Sequence, residues 1–542
     1  MPAQELQWVS YEVSDAQSIA AGATVTIQIP DLTGFAGPAD KAKILLESAA
    51  EIEHALMVQY LYAAYSLKGS DEVTDAAQQA ALDETSPDSW PQVLLDIARE
   101  EMGHLLTVQH LLLVLGEPPN LEREDFPPRK DLYPFPLHLE PLSQSSLAKY
   151  VVAEAPANAT GLDDVLEKAQ VAAGAAVNRV GMVYGLLGVV FSAPEQVAAG
   201  SEHADWDDLV RQLSEAAYKQ SPPETWHLPD DAFHADAAGR QAVPEDWQVG
   251  QLRVHQVTDR ASAVEAIRDI GEQGEGATGT DTGSHYHRLL GIYRGGDGAA
   301  AFPDPGGWQA ARDVPTDPKV DADITEPRAR AYAGLADLRY ALLLGFIEHY
   351  LLTASLDRDL LAGWIVAEMR SRVAYLARAL TGMARDGGGG HAAMPFTLPD
   401  PLHLPADEAA RWALHAERTQ AAITAVEAIR SAGAGDDDRY LADLLASDQA
   451  RLSYMGARAD GAPAKTSFAR DIRPLFRPKD VRHMADVGLD LSDPAAARRA
   501  ADNILKRVQS GGPRRMPPAP DQRWTPAQIR LLQRWIADGC PE

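Results

Sequence analysis

Glu101 and His104 stand three positions apart in the segment Arg99-Glu-Glu-Met-Gly-His104. On a helix, three residues turn the chain by about 300°, so both side chains share one face with Cβ atoms roughly 5–6 Å apart. A pair so placed can grip one metal ion, and the second carboxylate oxygen of Glu101 can bridge to a neighbouring ion. Two further segments offer the same donor types. Glu53-His54 lies within Ile52-Glu-His-Ala-Leu-Met-Val-Gln-Tyr60, and Gly271-Glu-Gln-Gly-Glu-Gly276 is followed eight residues later by Ser284-His-Tyr-His287.

A Glu-x-x-His pair on a solvated helix face needs no metal, so the flanking residues decide. Leu105, Leu106, Val108, Leu111, Leu112 and Leu113 surround the first motif, and Ile52, Leu56 and Met57 surround Glu53. Such helices are buried nearly all round. Burying several carboxylates without a cation costs many kcal/mol or forces protonation. A glutamate from each of two helices plus Glu-x-x-His motifs from two others builds di-iron and di-manganese carboxylate sites. Oxygen and imidazole donors without sulfur suit iron or manganese. His54 points about 100° away from Glu53, which favours a structural or outer role, and His110 falls on another face from His104. Glu348-His349, inside the apolar Leu342–Leu352 stretch, reads as helix packing or outer support, with a reserve ligand pair as the alternative. Glu154, before Ala155-Pro156 at a helix end, stays open as a ligand.

These residues need helices to bring them together, and the periodicity supplies them. Residues 4–35 alternate loosely and predict a short β-rich lead-in. From Ala39 to Leu67, Leu45, Ala49, Ile52, Leu56, Tyr60 and Ala63 recur every three to four positions, the signature of a helix. A second helix is predicted over about 92–115, stopped by Gly116-Glu-Pro-Pro119. Residues 117–144 read as a long ordered loop, and helical text resumes at 145–155 and 161–194. Residues 195–258 read as an irregular insertion. Helices follow at 261–275, from His285 to Tyr293, at 328–356, 358–382 and 406–433, with 387–390 a glycine break. Residues 434–465 read as a polar connection to a C-terminal module at 466–542. The expected division is a lead-in at 1–38, a metal-binding bundle with insertions at 39–385, a helix and linker at 386–465, and the module.

The bulk properties narrow the function. A chain of 542 residues exceeds one core and predicts two or three domains. Acidic residues number 78 against 49 basic, a formal charge of −29. Such a field repels nucleic acid and anionic membrane, and no apolar run reaches the roughly 18 residues of a membrane span. The start, Met1 to Ser10, lacks the pattern of a secretory signal. The single cysteine, Cys540, rules out an internal disulfide, a c-type haem attachment and a thiolate zinc cage. The expected setting is cytoplasmic.

The motifs Glu53-His-Ala-Leu-Met-Val-Gln-Tyr-Leu-Tyr-Ala63 and Ala98-Arg-Glu-Glu-Met-Gly-His104 resemble the ferritin-like family found in the imine-dimer synthase of violacein biosynthesis and its chromopyrrolic-acid counterpart. Tyr133-Pro-Phe-Pro136, Val152-Ala-Glu-Ala-Pro156, Glu272-Gln-Gly-Glu-Gly276 and Ser284-His-Tyr286 extend the resemblance over about residues 39–385. It implies a mainly α, ferritin-like helical bundle with a di-metal centre whose ligands are Glu53, Glu101, His104, Glu272, Glu275 and His285. The family tends to carry a glutamate near an Ile-Gly-x-x-Tyr turn. This chain has Val180-Gly-Met-Val-Tyr-Gly185 there, with no acid.

The C-terminal module resembles a small class I cytochrome c fold without its haem. Ser467-Phe-Ala-Arg-Asp-Ile-Arg-Pro-Leu-Phe476 matches its first helix and Ile529–Gly539, with Trp535, its closing one. Asp480, His483 and Met484 stand where haem attachment would be, which excludes covalent haem, and Met516 reads as core. The module is expected to pack or to dock a partner. Together these readings predict a di-metal oxidase or oxygenase, most simply di-iron with manganese as the other candidate. It would act with O2 on a small, amino-acid-derived metabolite. The competing reading is a non-catalytic metal-binding or scaffold bundle with a protein partner or a homo-oligomeric assembly.

Overall fold

The computed structural model describes the chain apart from residues 1–7, 15–23, 129–134, 157–158, 174–179, 195–202, 248–251, 276–282, 297–299, 355–356, 462–464, 512–514 and 518–522. Two compact units emerge. The first comprises Met1–Gln241, Val249–Asp323 and Thr381–Ala393, and the second Ala242–Gln248, Ile324–Leu380 and Met394–Glu542. Residues 324–380, which sequence periodicity joins to the bundle, therefore sit in the second unit.

The first unit opens with the antiparallel pair β1 (Trp8–Ser14) and β2 (Thr24–Pro30), with Trp8 opposite Pro30. Its helices are α1 (Pro38–Ser66), α2 (Ala76–Leu82), α3 (Trp90–Val114), α4 (Gln144–Ala153), α5 (Asp163–Ala173), α6 (Gly181–Phe191) and α7 (Ala204–Gln220). The short α8 (Pro244–Trp247) falls in the second unit, and α9 (Arg260–Glu275), α10 (His285–Arg294) and α11 (Val320–Asp323) complete the first. The two longest, α1 and α3, start with proline in their first turn, where the missing N–H has no helical partner to lose. They pack along each other, α6 packs along α9, and α1 also meets α6, while α4 lies on α10. Every described residue of α3 from Ile97 to Val114 except Arg99 is buried, as an apolar helix inside a bundle must be. Gly103 has a backbone reason. A Cβ there would stand 2.2 Å from the Arg253 carbonyl oxygen, so only glycine admits that chain between Glu101 and His104.

The helix α7 lies in a stretch that reads as irregular. Trp206, Leu209, Val210, Leu213, Ala216 and Ala217 form its buried stripe, and the Pro- and Trp-rich text after it hides that period.

The second unit adds α12 (Pro327–Leu352), α13 (Arg358–Ala367), a π-helical turn (Glu368–Val373), α14 (Ala374–Thr381), α15 (Glu408–Gly433) and α16 (Asp438–Ala459). After them come α17 (Pro478–Asp486), α18 (Pro494–Gln509) and α19 (Pro526–Ala537). The connection expected at 434–465 is in fact mostly α16. Its buried stripe includes Asp448 and Arg451 beside Leu441, Leu444 and Met455, so a search for apolar period alone misses it. Those polar residues belong to a buried ionic cluster. Glu368 accepts from Arg372 and from Arg451 Nη1 at 2.5 Å, and Arg339 bonds Asp448. In the C-terminal segment Phe468, Ile472, Phe476, Leu491, Trp524 and Trp535 pack together, with Met484 against them. Asp480 pairs with Arg477, His483 is exposed and Met516 is half-buried. Among the described residues no helix is long and apolar enough to cross a membrane.

Burial alone would raise the Glu368 carboxyl, but Arg372, Arg339 and Arg451 hold it down to about 2. A depressed acid stabilises the fold above its ordinary pKa and loses that contribution as pH falls toward the folded value. Glu368→Gln should therefore lower the stability of the second unit by on the order of 3 kcal/mol at pH 7. The gap should close as pH falls from about 4.5 to about 2, read as hydrogen exchange of the α12 and α16 amides at matched pH.

Candidate metal centre

Five acidic and imidazole side chains meet inside the first unit. Glu53 comes from the middle of α1, and Glu101 and His104 from one face of α3. Glu154 is the residue that caps the C-terminus of α4, and His285 is the first residue of α10, fixed there by the Ser284 hydroxyl on the His287 amide. All five are at least 97% buried. Their donor atoms form two groups, Glu53 with Glu101 and His104, and Glu101 with Glu154 and His285, each within 4.8 Å. Glu101 belongs to both.

The inner atoms satisfy one another only in part, His104 Nδ1 and Glu101 Oε2 sharing a hydrogen bond. His104 Nδ1 lies 3.0 Å from Glu101 Oε2 and 3.3 Å from Glu53 Oε2. His285 Nδ1 lies 3.0 Å from Glu101 Oε1 and 3.7 Å from Glu154 Oε2. Yet Glu53 Oε2, Glu101 Oε1 and His285 Nδ1 are buried with no hydrogen-bond partner among the described residues, because the close approaches are out of line. An orphaned buried polar atom costs about 1–3 kcal/mol, more when charged. Three such atoms turned to one space are what a cation would satisfy.

The outer atoms are all held. Tyr184 of α6 donates to Glu53 Oε1, and Tyr60 donates to Glu154 Oε1 at 2.6 Å. His104 Nε2 lies 3.2 Å from the Gln273 side-chain oxygen, and His285 Nε2 lies 2.9 Å from Glu100 Oε2, which Arg288 also bonds. An Nε2–H given to an acceptor leaves the Nδ1 lone pair free to face inward, the arrangement that orients metal-binding histidines.

With protons as the only cations, the charges settle as follows. Burial, reinforced by the Glu101 charge, raises Glu53 to about 8. Burial also pushes Glu101 up, but His285 and His104 outweigh it and hold this carboxyl well below its ordinary range. Burial opposes charge on His104, whose bonds to Glu101 and Glu53 nevertheless carry it to about 10. His285 is likewise raised well above the ordinary imidazole against burial, by Glu101 and Glu100.

A cavity with about 20 Å³ of room for the centres of water-sized spheres lies among these donors, walled by Leu56, Val180 and Ile270. That is space for about one or two water-sized atoms. Gly274 on α9 keeps it open. A Cβ there would stand 2.9 Å from Glu154 Oε2. These buried groups can hold metal ions.

Of the sequence-predicted ligands, Glu53, Glu101, His104 and His285 come together. Glu272 lies outside both groups, its Oε1 3.0 Å from His203 Nδ1. The side chain of Glu275, and part of the Tyr133-Pro-Phe-Pro136 and Gln-Gly-Glu-Gly motifs, lie outside the described residues. Glu154, left open by sequence, joins Glu101 and His285, and the acid-free turn at Val180–Tyr184 brings Tyr184 to Glu53. His54 bonds the Leu121 carbonyl and His110 the His255 carbonyl. In the second unit, Glu348 accepts the Leu404 amide and His349 meets His415 and Glu408. Sequence reasoning missed Glu100, Tyr60, Tyr184, Gln273 and Arg288 as outer partners, although most lie inside the motifs quoted. For Glu100, Tyr60 and Tyr184 the signal was polarity within apolar text.

Comparison with known proteins places a family match on the helices that carry this site. Residues 46–294 match the family model described as Ferritin-like. Dichlorochromopyrrolate synthase of Lentzea aerocolonigenes is 28% identical over 405 residues, covering 68% of this chain and 37% of that protein. The 2-imino-3-(indol-3-yl)propanoate dimerase of Chromobacterium violaceum is 34% identical over 152 residues, covering 24% of this chain and 15% of that protein. The chain thus spans well under half the length of these relatives. A crystal structure of a ferritin-like protein from Caulobacter vibrioides aligns at a TM-score of 0.34 and 14% identity, covering 61% of this chain and 94% of that one. Residues 46–294, which hold all five inward side chains and their outer partners, are a domain of the ferritin-like family.

Proposed function

We propose that this chain is a non-haem di-metal oxidoreductase, with iron the first candidate and manganese the second, acting with O2 on a small amino-acid-derived metabolite. One observation carries the reading: inward donor atoms on five side chains, three of them orphaned, converge while each outer atom is tied off. Glu53, Glu101 and His104 would hold one ion, and Glu101, Glu154 and His285 the other. Bound there, the ions would supply one-electron redox chemistry and Lewis acidity.

The protein's own part is positioning and exclusion. Tyr184 and Tyr60 fix the carboxylates of Glu53 and Glu154, and Gln273 and Glu100 fix the imidazole tautomers. Leu56, Val180 and Ile270 keep bulk water from the donors. The small cavity suits a diatomic or water-sized group and not an aromatic ring. The name of one relative, a dimerase of an indolyl imino acid, supports an amino-acid-derived substrate here too.

Anaerobic loading of the purified chain with Fe2+, followed by metal analysis, tests the reading. Two ions per chain and O2 uptake on reoxidation are expected. Glu101→Ala should lose both ions and Glu154→Ala one, with the helical circular dichroism unchanged. Metal without O2 uptake would favour a storage or scaffold bundle. A Glu101→Ala chain that kept both ions would overturn the assignment.

Metal uptake should also displace protons. His104 holds its proton up to about 10, His285 is raised well above its ordinary value, and Glu53 holds its proton up to about 8. At pH 7 all three carry protons that a metal must replace. Affinity should therefore strengthen as pH rises from 7 toward 10, with two to three protons released per chain. Titration calorimetry in buffers of different ionisation heat measures this, and uptake without proton release would refute it.

A further inference from the structure

The two donor groups match in their inner composition. Each has two carboxylates and one imidazole, and they share Glu101. The carboxylate partners match as well, since a buried tyrosine hydroxyl holds Glu53 in one group and Glu154 in the other. Burial does not separate them either, with His104 3% and His285 0% exposed. One outer contact differs. His285 Nε2 faces a carboxylate, Glu100, at 2.9 Å, whereas His104 Nε2 faces a neutral amide, Gln273, at 3.2 Å.

Resting on the di-metal reading, we infer that the two metal positions are inequivalent and that the position of Glu101, Glu154 and His285 takes its ion first and more tightly. An imidazole that donates its Nε2–H to a carboxylate carries more electron density on Nδ1 than one that donates to an amide, and is the stronger donor. Glu100 is well placed for this role. It follows Arg99 and precedes Glu101 on α3, so it points to a different side of the helix and reaches His285 from behind. Arg288, three residues along α10 from His285, holds the Glu100 carboxylate in that orientation. Gln273 has no charge to lend. Glu100, Arg288 and Gln273 are thus positioning residues that set an order of loading.

Outer partners of this kind are worth about 10- to 100-fold in metal affinity. Titrating the metal-free full chain with Mn2+, followed by calorimetry and electron paramagnetic resonance, should resolve two steps separated by about that factor. Glu154→Ala should abolish the tight step and Glu53→Ala the weak one. Glu100→Gln should weaken the tight step about 10- to 100-fold and leave the weak step, which also certifies the fold. Gln273→Glu should strengthen the weak step toward the tight one. Two equal steps in the unmodified chain, or an unmoved first step in Glu100→Gln together with an unmoved second step in Gln273→Glu, would overturn the asymmetry and leave the two-metal reading intact. No Mn2+ uptake at all would overturn both.

Discussion

The first unit is organised around carboxylates that it has taken out of water. Glu53, Glu100, Glu101 and Glu154 are each at least 96% buried, and the cationic groups that meet them are two imidazoles and Arg288. Even after relaxation, each buried ion carries a penalty of several kcal/mol unless opposite charge and hydrogen bonds offset it. Here the offset is partial by construction. Among the described residues Arg288 meets Glu100, and protons on His104, His285 and Glu53 offset the inner charge. Because those protons lie where lone pairs would otherwise point inward, the same geometry that tolerates protons favours cations.

That constraint explains features that otherwise look unrelated. Helix α6 brings Tyr184 to Glu53, and the cap of α4 sends Glu154 to the centre. An incoming carboxylate at that angle needs empty space on α9, which Gly274 provides. On α3, Gly103 lets the Arg253 backbone seal the helix within the turn that carries Glu101 and His104. The tyrosines perform two tasks, filling volume in the bundle and donating to a carboxylate oxygen that has no other partner among the described residues.

The second unit solves the same problem differently. Glu368 and Asp448 are buried with Arg339, Arg372 and Arg451, so fixed guanidinium groups neutralise the acids. Arginine cannot give up its proton or its place, so that cluster is structural. Imidazole can do both. The contrast between a permanent cation and an exchangeable one is the physical line between the two buried clusters.

Sequence alone carried the helices and the chemistry of α1 and α3. Their apolar flanks implied burial, and three-residue spacing implied a shared face, so Glu53, Glu101 and His104 were legible from local rules. It fell short wherever the partner was distant. Helix α16 hid because its buried stripe contains Asp448 and Arg451, residues whose burial makes sense only beside Arg339 and Glu368. Glu272 and Glu154 are both acids near the end of a helix, and residue type alone does not distinguish them. Tertiary structure turned Glu272 to His203 and Glu154 into the centre, because direction across a bundle depends on which helices meet and on the room that Gly274 leaves. Donor type and helical phase are written in neighbouring residues, whereas convergence is a property of packing.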